Sequence, residues 1–254
     1  MLTTVASRPA SALVMSRVQE KTSLRDRPGR RFLPKTEREL DPMLRVLAAR
    51  LPGAVRGVSV IAEMPGPAGL PDLVAVPFTP RLAIRLEHRC PPLLAWADAR
   101  IVAATSPNQP RSIPSLLRRL EADDQATRRR VSRLVTCGAL LQTHTGYLLR
   151  APELQPVGRL YALEAKVDDW SGGLGQALRY SAWADASAAV LRQLPRDHTK
   201  AVAQARDLGL GLALGSRWLV RPRLRRLETA RRLWASEHVI AALTGIPPRN
   251  GRAR

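Results

Sequence analysis

Two charged side chains stand on one face of an otherwise apolar segment, Leu160–Val167, which reads LYALEAKV. Side chains alternate between the two faces of a strand, so Glu164 and Lys166 point the same way and Leu163 and Ala165 point the other way. Lys166 is one of four lysines among 41 basic residues. A lysine is a compact charge that suits a water or a phosphate oxygen. The pattern favours chemistry on an anionic substrate.

A second apolar segment, Leu70–Val76, contains Asp72 beside Pro71. If the two strands are neighbours, Asp72 and Glu164 meet and form a hard oxygen site for Mg²⁺ or Mn²⁺. Such an ion polarises a phosphodiester, lowers the pKa of its bound water and stabilises the leaving oxygen. Lys166 would then orient the water. The alternative is a structural Glu–Lys pair and an unrelated turn aspartate.

Pro71-Asp72, then Glu164-Ala165-Lys166, then Gln176 and Tyr180 resemble the PD-(D/E)xK nuclease superfamily, in the branch with an extra QxxxY motif. The resemblance covers about residues 36–80 and 155–220. It implies that Asp72 and Glu164 are metal ligands and that Lys166 is catalytic. It also implies that Gln176 and Tyr180, which share one helix face, line the site or contact DNA.

The resemblance leaves two points open. A first-helix acid is sometimes a further ligand in such nucleases, and Glu37 and Glu39 are the candidates, with Glu63 another nearby acid. The sequence departs from the family because Asp72 and Glu164 are 92 positions apart, where a short hairpin is usual. Folds of this kind can also lose their chemistry.

The remaining pattern predicts a mixed α/β domain, and the resemblance implies a restriction-endonuclease-like mixed sheet flanked by helices. Its parts are the core segments 36–80 and 153–246, a flexible basic arm at 1–35 and a basic tail at 247–254. A helix is predicted over 36–51, and strands over 57–64 and 70–76. Strands and helices alternate again after residue 159, and 210–220 is predicted as a single strand.

Residues 81–152 are predicted to be an inserted winged helix. Helical patterns cover 92–104, 113–121 and 124–137, and two short runs flank a His144-Thr145-Gly146 turn. In the last helix Thr127, Val131, Leu134 and Val135 fall on one face and would pack inward. The polar face, which suits a DNA groove, carries the predicted DNA-binding residues Gln125, Arg128, Arg129, Arg130, Ser132, Arg133 and Thr136.

Net charge indicates a polyanionic partner. The chain carries 41 basic and 21 acidic residues, a formal charge of +20, and neutralising phosphates releases counterions. A general drift towards arginine would also make the chain basic. Residues 151–191 are locally acidic, with a net charge of −2, as expected for a cation site on a DNA-binding body. Acids that cap a helix would give the same local excess.

The two cysteines, Cys90 and Cys137, have no metal-binding spacing and no disulfide framework, which favours a reducing cytoplasm. The sequence has no apolar run of about 18 residues, so neither a signal peptide nor a membrane span is expected. The four histidines have no zinc or triad spacing.

These observations predict a Mg²⁺- or Mn²⁺-dependent deoxyribonuclease acting on double-stranded DNA, with roles in restriction, repair or defence. Whether it is an endonuclease or an exonuclease, and whether it is a homodimer, stays open. The alternative is a non-catalytic winged-helix DNA-binding protein or regulator on a nuclease-like scaffold. A weaker alternative is an RNA-directed role or an adaptor within a larger complex.

Overall fold

A computed structural model describes residues 36–122, 125–193, 196 and 198–246. The predicted basic arm at 1–35 and the basic tail at 247–254 lie outside the described residues. No helix in the described part of the chain is both long and apolar enough to cross a bilayer.

The centre of the fold is a mixed six-stranded sheet in the order β1-β2-β5-β6-β7-β8. Pairs β1–β2, β2–β5 and β7–β8 are antiparallel, and β5–β6 and β6–β7 are parallel. Strands β3 and β4 form a separate hairpin. The strands are β1 (Val58–Ala62), β2 (Leu73–Pro77), β3 (Leu140–Gln142), β4 (Leu148–Arg150), β5 (Tyr161–Lys166), β6 (Ala186–Leu191), β7 (Gly211–Leu214) and β8 (Arg217–Val220).

Helices flank the sheet on both faces. A short 3-10 helix, Glu37–Leu40, leads into the first α-helix, which starts at Asp41 with Pro42 in its first turn. The α-helices are α1 (Asp41–Ala49), α2 (Pro80–Glu87), α3 (Trp96–Ala103), α4 (Ile113–Leu120), α5 (Gln125–Thr136), α6 (Trp170–Tyr180), α7 (His198–Asp207) and α8 (Thr229–Thr244). The predicted α/β class with a mixed sheet flanked by helices is confirmed.

Both faces of the central strands carry apolar side chains that pack against helices, so the sheet is buried. On one face Leu163 and Ala165 pack with Leu44 and Leu47 of α1. On the other face the strands pack against α6 and α8, and Tyr180 is part of that cluster. Burial on both faces explains why β2 is a continuous apolar run and why β5 is apolar apart from Glu164 and Lys166. This charged pair is therefore an exception within the buried sheet.

The segment between β2 and β5 consists of four helices and the β3–β4 hairpin. Helices α3, α4 and α5 and the hairpin share an apolar cluster, and Leu233 of α8 belongs to it. A buried ion pair between Arg85 of α2 and Glu237 of α8 joins the start of the segment to that helix. The segment therefore packs on α8, the last helix of the α/β body.

Three local predictions need correction. Residues 210–220 contain two antiparallel strands, because the chain reverses at Gly215, whose φ is +54°. Helix α2 was not predicted, because its short pattern follows directly after a strand. Asp72 lies immediately before β2 and not within it, since the strand begins at Leu73.

Candidate functional site

Strand pairing brings Asp72 next to Glu164. In the antiparallel β2–β5 ladder Leu73 lies opposite Leu163, so the residue before β2 lies beside the residue after Leu163. The Ala165 N–H donates a hydrogen bond of 2.7 Å to Asp72 Oδ2. Despite the intervening segment, Asp72, immediately before β2, therefore lies beside the end of the neighbouring strand β5.

Glu164 is buried, with 3% of its surface exposed. Its Oε2 accepts a hydrogen bond of 2.9 Å from the hydroxyl of Tyr180, the last residue of α6. Burial, and then the charge of Glu164, raises the pKa of Tyr180. The hydroxyl therefore stays protonated and keeps donating to the carboxylate. Gly69, with φ +90°, allows this approach, since a Cβ there would lie 2.8 Å from Tyr180 Cε1.

The amine of Lys166 lies between two acids. Its Nζ is 3.1 Å from Glu164 Oε1 and 2.9 Å from Glu37 Oε1, and its side chain is 13% exposed. Burial alone would lower the pKa of Lys166, but the hydrogen bonds and charges of Glu37 and Glu164 outweigh it, so the pKa is raised. The amine is therefore a fixed positive charge suited to orienting a water or a phosphate oxygen, and it is not a proton acceptor at neutral pH.

Half-buried Asp72 and buried Glu164 both have a raised pKa. Burial raises the pKa of Asp72, an effect opposed by the Ala165 N–H. Burial and then the charge of Asp72 raise the pKa of Glu164. The negative charges of Glu37 and Glu63 also raise the pKa of Asp72, whereas the positive charge of Lys166 lowers it. A cation bound between Asp72 and Glu164 would relieve this repulsion.

A cleft of about 380 Å³ opens beside Asp72. Glu63 belongs to its wall and has a φ of +46°, which is uncommon for a residue with a side chain. The wall consists mainly of charged residues from the 3-10 helix, α1 and the β1–β2 connection: Glu37, Arg38, Asp41, Leu44, Arg45, Ala62, Glu63 and Asp72. The cleft gives a charged ligand a route to Asp72.

The donor set fits a hard divalent ion. Within the described ranges no three His, Cys, Asp or Glu side chains gather as a metal-binding group. Mg²⁺, however, often takes only one or two carboxylates and completes its shell with waters and substrate phosphates. Asp72 and Glu164 would hold such an ion, and it would supply Lewis-acid activation of water and phosphate.

Gln176 does not join the cluster directly. It lies one turn before Tyr180 on the same face of α6 and is half-buried. Among the described residues no hydrogen bond links its amide to Asp72, Glu164, Lys166 or Tyr180. Part of the local acidic excess has a structural role, because Asp169 caps α6 by accepting from the Gly172 N–H at 2.8 Å.

Helix α5 has the two faces expected from its sequence. Val131 and Leu134 are buried, and Thr127 and Val135 are half-buried. Asp98 of α3 is 4% exposed and pairs with Arg133 and, at 3.3 Å, with Arg130. Arg130 is half-buried, and the other six predicted DNA-binding residues are exposed: Gln125, Arg128, Arg129, Ser132, Arg133 and Thr136.

Sequence reasoning missed the contacts that position the site. A Cβ on Gly173 would lie 2.9 Å from Lys166 Cγ, so the glycine makes room for the lysine stem. A glycine inside a helical pattern often marks such a close approach, and this signal was present. Nothing in the sequence indicated that Asp98 would hold two arginines of α5.

No protein-family model, curated protein or solved structure matches this chain.

Proposed function

We propose that this protein is a metal-dependent DNA nuclease of the PD-(D/E)xK type with a restriction-endonuclease-like core. One observation carries the proposal. Asp72, Glu164 and Lys166 are brought together at the adjoining ends of two neighbouring strands, although the two acids are 92 positions apart. A cation site beside a fixed positive charge would support phosphodiester hydrolysis, because the ion activates water and the charge of the phosphate is offset.

Each side chain has a distinct task. The carboxylates of Asp72 and Glu164 would hold a divalent ion, which would supply Lewis-acid activation of water and phosphate. Lys166 keeps its proton because of Glu37 and Glu164; it orients the attacking water and offsets charge that develops on the phosphate. Tyr180 fixes Glu164 by its hydrogen bond of 2.9 Å. Glu37 holds the amine from the opposite side at 2.9 Å.

The helices α3–α5 and the β3–β4 hairpin fit a winged helix that binds DNA. The exposed side of α5 presents Arg128, Arg129 and Gln125 to solvent, as a groove-reading helix would. Arg130 and Arg133 are held by Asp98, so they are preordered and partly neutralised. We therefore expect Arg129 to contribute more to DNA affinity than Arg130.

Cleavage of supercoiled plasmid tests the proposal. The wild-type chain is incubated with Mg²⁺ or Mn²⁺ beside Lys166→Ala, with Lys200→Ala as the matched control, because Lys200 is an exposed lysine of α7. Wild type and Lys200→Ala should nick DNA only with the metal, and Lys166→Ala should be at least about 100-fold slower, the size of effect seen when a transition-state donor is removed. Equal nicking by all three proteins would refute the assignment.

A second candidate function is a DNA-binding protein that no longer cuts. It is favoured by the absence of a three-residue metal-binding group among the described residues. Retained DNA binding by wild-type protein, without metal-stimulated nicking and without metal binding, would select this function. Titrations at several salt concentrations with Arg129→Ala and Arg130→Ala would then locate the DNA surface, since each lost phosphate contact lowers the salt slope by about one.

A further inference from the structure

The two cysteines of the chain meet in space. Cys90 follows α2 and Cys137 follows α5, 47 positions later. Their sulfur atoms are 3.2 Å apart, and both are free thiols. A disulfide needs an S–S distance of about 2.05 Å, so a further approach of roughly 1 Å would allow the bond to form. Nothing in the sequence spacing predicted this contact.

The two thiols differ in their surroundings. Cys90 is 2% exposed and Cys137 is half-buried. Burial raises the pKa of the Cys90 thiol well above its usual range. The Arg89 guanidinium lies against Gly138, where Nε would be 3.1 Å from a Cβ on that glycine. Cys137 is therefore the more accessible of the two thiols, and a guanidinium lies beside the residue that follows it.

The position of the pair gives a bond between them a consequence. The carbonyl oxygen of Cys90 accepts from Arg85 Nη1 at 3.0 Å, and Arg85 is paired with Glu237 of α8. Cys137 continues the last turn of α5, since its N–H donates to Arg133 O. A disulfide would therefore fasten the end of α5 covalently to a loop that is anchored on the α/β body.

We propose that Cys90 and Cys137 are a redox-sensitive site that closes to an intramolecular disulfide when the protein meets a hydroperoxide. The Cys137 thiolate attacks the peroxide, the O–O bond breaks, and Cys137 becomes a sulfenic acid while water or an alcohol leaves. Cys90 then loses its proton and attacks the Cys137 sulfur. The S–O bond breaks, the S–S bond forms and a water leaves. The two thiols lose two electrons and the peroxide gains them.

The test uses the full chain and hydrogen peroxide. Reduced protein is treated with stoichiometric peroxide and examined by intact mass, by thiol titration after denaturation and by thermal melting. The expected results are a loss of 2 Da, a fall from two thiols per chain to none, a peptide that links Cys90 to Cys137, and a melting temperature several degrees higher, all reversed by a dithiol reductant. Loop closure in the unfolded chain is the reason for the higher melting temperature.

The single variants Cys90→Ser and Cys137→Ser serve as controls. Cys90→Ser should stop at a sulfenic acid that a dimedone probe traps, and Cys137→Ser should react far more slowly. Wild-type protein that retains both thiols, that oxidises further to a sulfinic acid at Cys137, or that forms only disulfide-linked dimers would overturn the proposal. The result is independent of the nuclease assignment, because no readout uses DNA or a divalent metal.

Discussion

Replacing Arg85 with methionine should destabilise the protein more than any surface change. The Arg85 guanidinium forms a two-point ion pair with Glu237, with Nε to Oε1 at 2.8 Å and Nη2 to Oε2 at 2.6 Å. The two side chains are 1% and 0% exposed. This pair links α2, the first helix of the middle segment, to α8.

The expected magnitude follows from what the substitution leaves behind. In Arg85→Met the Glu237 carboxylate remains buried with one hydrogen bond, from the Leu93 N–H at 2.9 Å. The Cys90 carbonyl oxygen also loses its bond from Arg85. Breaking a buried pair on one side costs about 3–5 kcal/mol, because the remaining charge is uncompensated. We expect the free energy of unfolding to fall by about 4 kcal/mol on that scale.

Urea unfolding followed by tryptophan fluorescence measures the effect. The matched control is Arg45→Met, because Arg45 also bonds an acid at 2.7 Å, but its pair with Asp41 is 43% and 39% exposed. That variant should lose less than about 1 kcal/mol. The double variant Arg85→Met/Glu237→Leu should recover most of the loss, since no buried charge remains. An Arg85→Met protein within about 1 kcal/mol of wild type would refute the reasoning.

The other predictions concern the site. Asp72→Asn should abolish Mn²⁺ binding in calorimetry and leave metal-free stability equal or higher in urea unfolding, because burial raises the pKa of that carboxyl and the amide still accepts from the backbone. A raised folded pKa gives stability that is complete below the unfolded value, 3.8 for Asp72 and 4.5 for Glu164, and that is lost as pH rises through the folded pKa. Because the ion binds the ionised carboxyls, wild-type Mn²⁺ affinity should fall as pH drops through the folded pKa values of these two groups. Titrations at several pH values will show this. Tyr180→Phe should slow plasmid cleavage and cost roughly 1 kcal/mol in urea unfolding, since Glu164 loses its buried donor; unchanged rates would remove the tyrosine from the site. Gly173→Ala should slow cleavage by displacing the lysine stem, whereas Gly175→Ala, with nothing within 4 Å, should only stabilise the helix; equal rates in the two variants would contradict the packing argument.

Much of the architecture could be predicted because local patterns determine it. The alternation of Leu163, Glu164, Ala165 and Lys166 indicated which side chains share a face, and the structure confirms that the two apolar residues pack towards α1. The spacing of Val131 and Leu134 identified the buried face of α5. In both cases the periodicity of a single element contains the information.

The contacts between elements could not be predicted in the same way. Two of these contacts depend on how separate helices pack. They are the contact between Cys90 and Cys137 and the ion pairs of Asp98 with Arg130 and Arg133. The turn at Gly215 was missed because β7 and β8 form a nearly continuous apolar run in sequence, interrupted only by Gly215, Ser216 and Arg217. Long-range packing and a left-handed glycine determine these features, and neither has a local period.

Calorimetric titration of Mn²⁺ into the metal-free protein tests the central claim most directly. The account predicts one divalent ion bound per chain by wild-type protein, and loss of that binding in both Asp72→Asn and Glu164→Gln. Lys166→Ala should still bind the ion, because the lysine opposes the cation and is not a ligand. Absence of Mn²⁺ binding by wild type, or binding by Asp72→Asn and Glu164→Gln that equals that of wild type, would contradict the proposed metal site.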